Sequence, residues 1–424
     1  MKTKLLQILY DMRTQPVTAW VTVAGTALSI FLIIVVLMMK SVLLTPFAPE
    51  SNRSRMMYAP YIDTRQSENN SSSGCMSGAI ARRLYSGLDG VEKISLMSLE
   101  PNPINVKGTS GERFVAQQRK ADAGFWEIFD HKLLAGRYYT PEEVEAGTKV
   151  AVVSEATARR LFGTDDAVGK SMQIDFIDYQ VIGVVANTSA LATIGCGDLF
   201  TPIEVNYISD WNPNMGDVSV ALLAAPGADH DAIRSQVESR FAQVSSEMSD
   251  EEGWLEYHNS PFDHKLYTAV RVYSNTTPDD SIANATDTLI YVLILLIPAI
   301  NLSSMLHSRM RRRVSEIGIR RAYGCTRMRV IGDIVGENLI VTVAGGIIGI
   351  AAGTLFALFY DGLFTDANGA AVRPALGMLL NFRTIGLALS ACLILNLLSA
   401  SLPAWQAARL SPVQAINSAT NINK

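Results

Sequence analysis

The side chains of this chain that could do chemistry are few. His258 and His264 flank Asp263, a trio that could be imagined as a metal or hydrolytic site. Two histidines six residues apart in a loop match no ligand template. No His-Glu-x-x-His or Cys-x-x-Cys pattern occurs, and no Gly-x-x-x-x-Gly-Lys-Ser/Thr loop is present to cradle phosphates. The reading is therefore of a non-enzyme, with no catalytic residue and no metal site. Four cysteines remain, Cys75, Cys196, Cys325 and Cys392.

A denser chemical signal is charge. Arg309, Arg311, Arg312, Arg313, Arg320, Arg321, Arg327 and Arg329 crowd one loop between two hydrophobic segments. Cations beside membrane spans resist translocation and mark a cytoplasmic loop. Inside it lies a short helix. Ser315 can cap its start, Glu316 suits the positive end of its dipole, and Gly324 can take the left-handed conformation that ends it. Ile317, Ile319, Ala322 and Tyr323 give it an apolar side, with Glu316, Arg320 and Arg321 at the rim and Gly318 within it. Two readings stand: a lipid-facing amphipathic segment attracted to anionic headgroups, or a docking element for a partner's pocket.

The elements that must position this loop are membrane spans. About 20 largely apolar residues cross about 30 Å of hydrocarbon. Four segments qualify: 1–44 with its cytoplasmic start, 288–306, 331–360 and 385–403. Lys2, Lys4 and Arg13 precede the first and the arginine loop, 307–330, follows the second, so both ends face inward. Residues 45–287 and the 361–384 loop then lie outside, and the 404–424 tail inside. The apolar core of the first span is longer than a cleaved leader's, so it reads as a retained anchor. A composition of 48% hydrophobic and 18% charged residues fits four spans plus a large polar domain. A net charge of −4 gives no footprint for nucleic acid. No Asp, Glu, Lys or Arg lies deep in spans two to four, where an ion-coupled carrier would need one. Gly345, Gly349 and Gly353 form a small-residue stripe that lets helices approach closely.

The outer 45–287 region is long enough for a sizeable core and reads as an α+β domain. Ser67–Ser73 reads as a mobile loop, and Ile80, Leu84 and Leu88 as one face of a helix. Val91–Leu99, Arg113–Arg119 and Lys149–Val153 read as strands. Ser154 caps a helix Glu155–Phe162 that stops at Gly163. Ser171–Asp175 and Tyr179–Val185 form a tightly connected strand pair. A second subdomain is expected at about 199–264, with strands Leu199–Ile208 and Val218–Leu223 and a helix His230–Met248. The stripe Ile233, Val237, Phe241 and Val244 on that helix packs on its own sheet or serves a partner. Lys265–Tyr273 reads as a returning strand. Only Cys75 and Cys196 face an oxidising exterior, each beside glycine, so they can form one disulfide or remain two free thiols.

Asn301–Met305 leading to Glu316-Ile317-Gly318-Ile319-Arg320-Arg321-Ala322-Tyr323-Gly324-Cys325-Thr326, then Glu337 and the glycine-rich third span, resemble the MacB/FtsX family of ABC-transporter permeases. The tail Leu402-Pro403-Ala404-Trp405-Gln406-Ala407-Ala408-Arg409-Leu410-Ser411-Pro412-Val413 resembles its closing motif. Val152–Glu155, Leu161–Gly163, Val168–Lys170 and Tyr179–Val185 resemble its periplasmic core domain. The resemblance implies a four-span permease in a bacterial inner membrane, dimeric with itself or a paralogue. Ser315–Gly324 would be the coupling helix for a cytoplasmic ABC ATPase, which holds ATP and Mg; this chain itself would need no cofactor. Membrane lipids and a periplasmic adaptor are further implied partners. Such proteins relay ATP-driven motion to their outer domains to export or extract peptide, antibiotic or lipoprotein substrates. The alternative is a signalling subunit that activates an outer partner such as a peptidoglycan hydrolase.

Overall fold

The computed structural model describes residues 45–269 apart from 68–69, 109–110, 112, 190, 210–211 and 249–252. It also describes residues 319 and 322–359, and isolated helical residues between 23 and 35, 281 and 292, and 386 and 394. The chain divides into two compact units, one holding Val42–Ala283 and the other Met1–Ser41, Asn284–Phe359 and Ala375–Lys424.

The outer unit is built on one large sheet. Its strands are β1 (Met56–Ala59), β4 (Val91–Met97), β5 (Asn102–Lys107), β6 (Arg113–Ala121), β7 (Leu133–Gly136), β8 (Val150–Ser154), β9 (Ser171–Ile174), β10 (Ile177–Val185), β11 (Leu199–Pro202), β12 (Ser219–Ala224) and β14 (Phe262–Asp263). The order β11-β8-β10-β9-β5-β6 closes on itself, because β11 also pairs in parallel with β6, Leu199 opposite Gln118. Six strands thus form a ring. From β6 the sheet continues through β4, β12 and β1 to β14. A separate three-stranded sheet joins β13 (Trp254–Glu256), β2 (Ile62–Ser67) and β3 (Asn70–Gly74).

Strand periodicity divides the core in two. Successive side chains point to opposite faces. Val150 and Val152 of β8 enter one apolar cluster, and Ala151 and Val153 enter the other. The second cluster is roofed by α1 (Glu155–Phe162), through Ala158 and Leu161. Ser154 accepts from the Thr157 N–H to cap that helix, and Gly163, at φ +71, ends it. Both signals act as the sequence predicts. The first cluster takes α2 (His230–Glu247) through Ile233, Val237, Phe241 and Val244. That stripe packs on its own domain.

Four expectations are corrected. The Ser-rich stretch is not a loop: β3 pairs with β2, Ser73 opposite Asp63 and Ser72 opposite Thr64. Backbone pairing with an adjacent strand outweighs the weak strand preference of Ser and Asn. The strand from Leu199 stops at Pro202, which offers no N–H to extend a ladder. Lys265 begins no strand, because His264–Ala269 is helical. Its three-residue spacing sets His264 and Tyr267 against Tyr58, at ring distances of 5.9 and 5.2 Å. Residues 270–273 lie outside the described residues. Finally, 199–264 is no separate subdomain: β11 closes the ring, and β12 pairs with both β1 and β4.

In the other unit, α3 (Arg327–Phe359) runs 33 residues, and its sequence carries no charge from Leu339 to Phe359. Counted over the described residues alone, no helix reaches the length and apolarity of a membrane crossing.

Candidate functional site

Two turns of chain set the predicted docking element. Ile319 and Ala322 are helical, and the Tyr323 N–H donates to the Ile319 carbonyl at 3.1 Å. Gly324 follows at φ +89, a conformation that side chains resist, and it stops the helix as predicted. The Thr326 carbonyl then accepts from Arg329 and Val330 at 3.1 and 3.2 Å, which starts α3. Around this break the apolar side chains face outward: Ile319 is 50% exposed, Met328 78% and Tyr323 89%. Ser315, Glu316, Ile317, Gly318, Arg320 and Arg321 lie outside the described residues.

Further along α3, Gly345, Gly349 and Gly353 are buried, and so is Gly346. Phe356 shares their face by helical spacing and meets Phe31 edge-on at 5.6 Å. Ala27, one turn before Phe31, is buried too. Small residues are thus inside. Val343, Ile347, Ile348 and Leu355 are exposed. The glycine stripe falls where two helices can approach.

The outer unit contains a polar core that sequence reasoning missed. Its first described residues, 45–55, form a clamp. Arg53 and Glu50 are both buried and pair at 2.7 Å. Glu50 Oε1 accepts from the Ile194 and Gly195 N–H groups at 2.9 and 2.8 Å. Arg53 donates to the carbonyls of Thr45 and Leu191 and sits 4.2 Å over the Phe47 ring. The chain that follows the first predicted span is thereby fastened to the 191–196 loop. Arg119, fully buried, holds the same loop by donating to Cys196 and Thr193 carbonyls and to Ser98. Burial lowers its pKa. His131 Nε2 donates to the Gly195 carbonyl at 2.9 Å, and burial drives its pKa down to about 3, so the ring is neutral. Nearby in sequence, burial pushes Asp122 up to about 6, against donors that include Leu96, Ser95 and Phe125. The signal available in the sequence was Glu50 and Arg53 close behind Pro46 and Pro49 at the end of an apolar run.

Cys75 and Cys196 are free thiols, so the expected disulfide is not formed. Cys75 Sγ accepts from the Ser219 hydroxyl at 3.7 Å, and Cys196 Sγ approaches the Thr193 carbonyl at 3.8 Å. Burial raises both thiol pKas. The glycine beside Cys196 serves packing: a Cβ on Gly195 would lie 2.8 Å from the Phe129 ring and 2.9 Å from Pro49. Among the described residues no group of His, Cys, Asp and Glu could hold a metal ion. His264 is buried against Tyr58, whereas Asp263 accepts from His230 at 2.6 Å and pairs with Arg234. The imagined His258–Asp263–His264 trio is therefore split, and His258 Nε2 lies 3.3 Å from Asp63 Oδ2 instead.

Comparison with known proteins matches both parts of the chain. Residues 19–240 match the MacB-like periplasmic core domain and residues 288–412 the FtsX-like permease C-terminal. An uncharacterized ABC transporter permease, YknZ of Bacillus subtilis, is 22% identical over 78% of this chain and 77% of its own length. The pyoverdine export ATP-binding/permease protein PvdT of Pseudomonas fluorescens is 25% identical over 70% of this chain. The chain spans only 42% of that relative's length. The periplasmic region of MacB from Actinobacillus actinomycetemcomitans overlays 48% of this chain and 87% of itself, at 14% identity and a TM-score of 0.35.

Proposed function

The chain belongs to the MacB/FtsX-like ABC-transporter permeases, and on that premise we propose that it relays the work of a cytoplasmic ABC ATPase to its outer domain. Four spans hold it in the membrane. Ile319, Tyr323 and Met328, exposed around the left-handed Gly324, seat the ATPase. This is the observation that carries the reading: large apolar side chains left outside at a sharp helix break mark an interaction site. ATP and Mg belong to the ATPase; this chain supplies no group to the chemistry.

Three features support transmission rather than passage. The sequence of α3 offers no charged lining between Leu339 and Phe359. The buried glycine face suits helices that pack closely and shift together. The Glu50–Arg53 clamp ties the exit of the first span to the 191–196 loop, so displacement of that span enters the domain at a rigid point. Export or extraction of a peptide, antibiotic or lipoprotein substrate is the work so driven, in a dimer with itself or a paralogue and with an outer adaptor.

Reconstituted with its ATPase, the chain should stimulate ATP hydrolysis, and Ile319→Glu should abolish that stimulation while the chain still assembles in the membrane. Full stimulation by the variant would remove the docking claim.

A further inference from the structure

The outer domain carries a cleft that the transmission reading does not use. It lies on the outward face of three neighbouring strands, β6, β5 and β9, where Arg113 pairs opposite Lys107 and Lys107 opposite Gln173. Alternation places Arg113 on the face opposite the buried Phe114. The cleft has a volume of about 230 Å3, and its lining includes Asn105, Lys107, Arg113, Gln173, Asp175 and Phe176.

Its lid is unusual. Asp175 and Phe176 form the β9–β10 turn, with φ values of +44 and +69. Two positive angles match the twist of a two-residue hairpin, but Asn-Gly is the sequence that adopts them cheaply. A phenylalanine there is strained, and such strain persists where something besides folding requires the side chain. The ring does not repay the strain by burial, since it is 81% exposed. It turns back over the cleft, 5.8 Å from the Arg113 guanidinium. Neither Lys107 nor Arg113 forms an ion pair with a described residue. Among the lining residues two cations, Lys107 and Arg113, face one carboxylate, Asp175, beside an exposed aromatic face, and Asp178 stands opposite Gln173 on β10.

From this geometry we infer that the Lys107–Arg113–Phe176 cleft binds an acidic, extended peptide segment of a partner protein. The chemistry selects that ligand. A planar guanidinium pairs with a carboxylate through two hydrogen bonds. The Asn105 and Gln173 side-chain amides can donate to and accept from a peptide backbone. Phe176 covers an adjoining apolar side chain. The volume admits one or two residues, which suits an anchor within a longer contact. Asp175 disfavours a compact polyanion and leaves room for a carboxylate flanked by apolar groups. The site stands independently of ATPase docking.

The test uses the full chain in detergent and a fluorescein-labelled peptide of alternating glutamate and valine, read by anisotropy. Saturable binding is expected, and a matched lysine–valine peptide should not bind. Arg113→Gln combined with Lys107→Gln should weaken binding at least about tenfold, the loss expected of a central charged anchor. Phe176→Gly is the sharper variant, because glycine adopts the turn without strain. It should weaken binding by a similar factor with no fall in melting temperature. No saturable binding by the native chain would overturn the proposal. So would unchanged binding by Phe176→Gly, or competition by inorganic phosphate as strong as by unlabelled peptide.

Discussion

The two units of this chain bury opposite kinds of side chain. In the outer unit Met56, Met57, Phe125, Phe129 and Phe200 are inside, and charged residues such as Arg159, Lys93 and Asp165 are outside. In the helical unit the order reverses. Gly345, Gly346, Gly349, Gly353 and Ala27 are inside, and Leu28, Leu289, Val292, Ile347, Leu355 and Phe359 are 52–78% exposed. Water explains the first arrangement: apolar area leaves it at about 25 cal/mol per Å2. It cannot explain the second. Hydrocarbon gives no drive to bury a leucine, so helices there associate through close contact of small residues. The comparison therefore assigns different solvents to the two units, and it also separates two kinds of exposed apolar group. Ile347 and Leu355 lie along a charge-free helix, whereas Ile319, Tyr323 and Met328 sit at a helix break among arginines.

The largest expected effect breaks the outer unit. Arg53→Ala leaves the buried Glu50 carboxyl without its guanidinium partner, which costs about 3–5 kcal/mol. Denaturant unfolding of the solubilised chain should show it through the fluorescence of Trp126, half-buried against the core, and a loss below about 1 kcal/mol would mean that water replaces the arginine.

A pair of substitutions sharpens the contrast in the helical unit. Gly349→Leu forces packed helices apart and should cost about 1–3 kcal/mol, as overpacking does. Two residues earlier, Ile347→Ala should change thermal stability in detergent by less than about 0.5 kcal/mol, because among the described residues its side chain is 65% exposed. Equal effects would contradict the reversed burial.

The last contrast is in pH. His131 has its pKa depressed to about 3 by burial. Its contribution is complete above the unfolded value of about 6.5 and is lost as pH falls through that range, by at most about 1.4 kcal/mol per unit. Asp122, raised to about 6, works in the opposite sense. Its contribution is present below its unfolded value of about 3.9 and is lost as pH rises through 6. Between about 4 and 6 the two oppose each other. His131→Gln should therefore be more stable at pH 5 than at pH 7, in denaturant titrations at each pH. The native chain should show a flatter profile over that interval.

What was legible in the sequence was local. Ser154, Gly163 and Gly324 act through their own backbone geometry, and the α2 stripe follows from helical spacing. The ring was not legible, because it closes through Leu199 and Gln118, which only the completed fold brings together. Nor was the clamp: Glu50 finds its amide partners at Ile194 and Gly195. The disulfide expectation failed for a related reason. The expected topology put the two thiols in one compartment, but the fold sets Cys75 against Ser219 and Cys196 against Thr193. In the predicted coupling helix the helix end at Gly324 was readable, and the chain turns there at φ +89.

The central claim is that the exposed break at 319–328 faces an ATPase while the charge-free face of α3 faces lipid. Placing a photoreactive side chain at Tyr323, and separately at Ile347, tests both halves at once in native membranes. The expected result is a protein adduct of ATPase mass from position 323 and lipid adducts alone from position 347. Lipid adducts alone from position 323 would mean that the arginine-rich segment lies on the membrane surface, and would contradict the account.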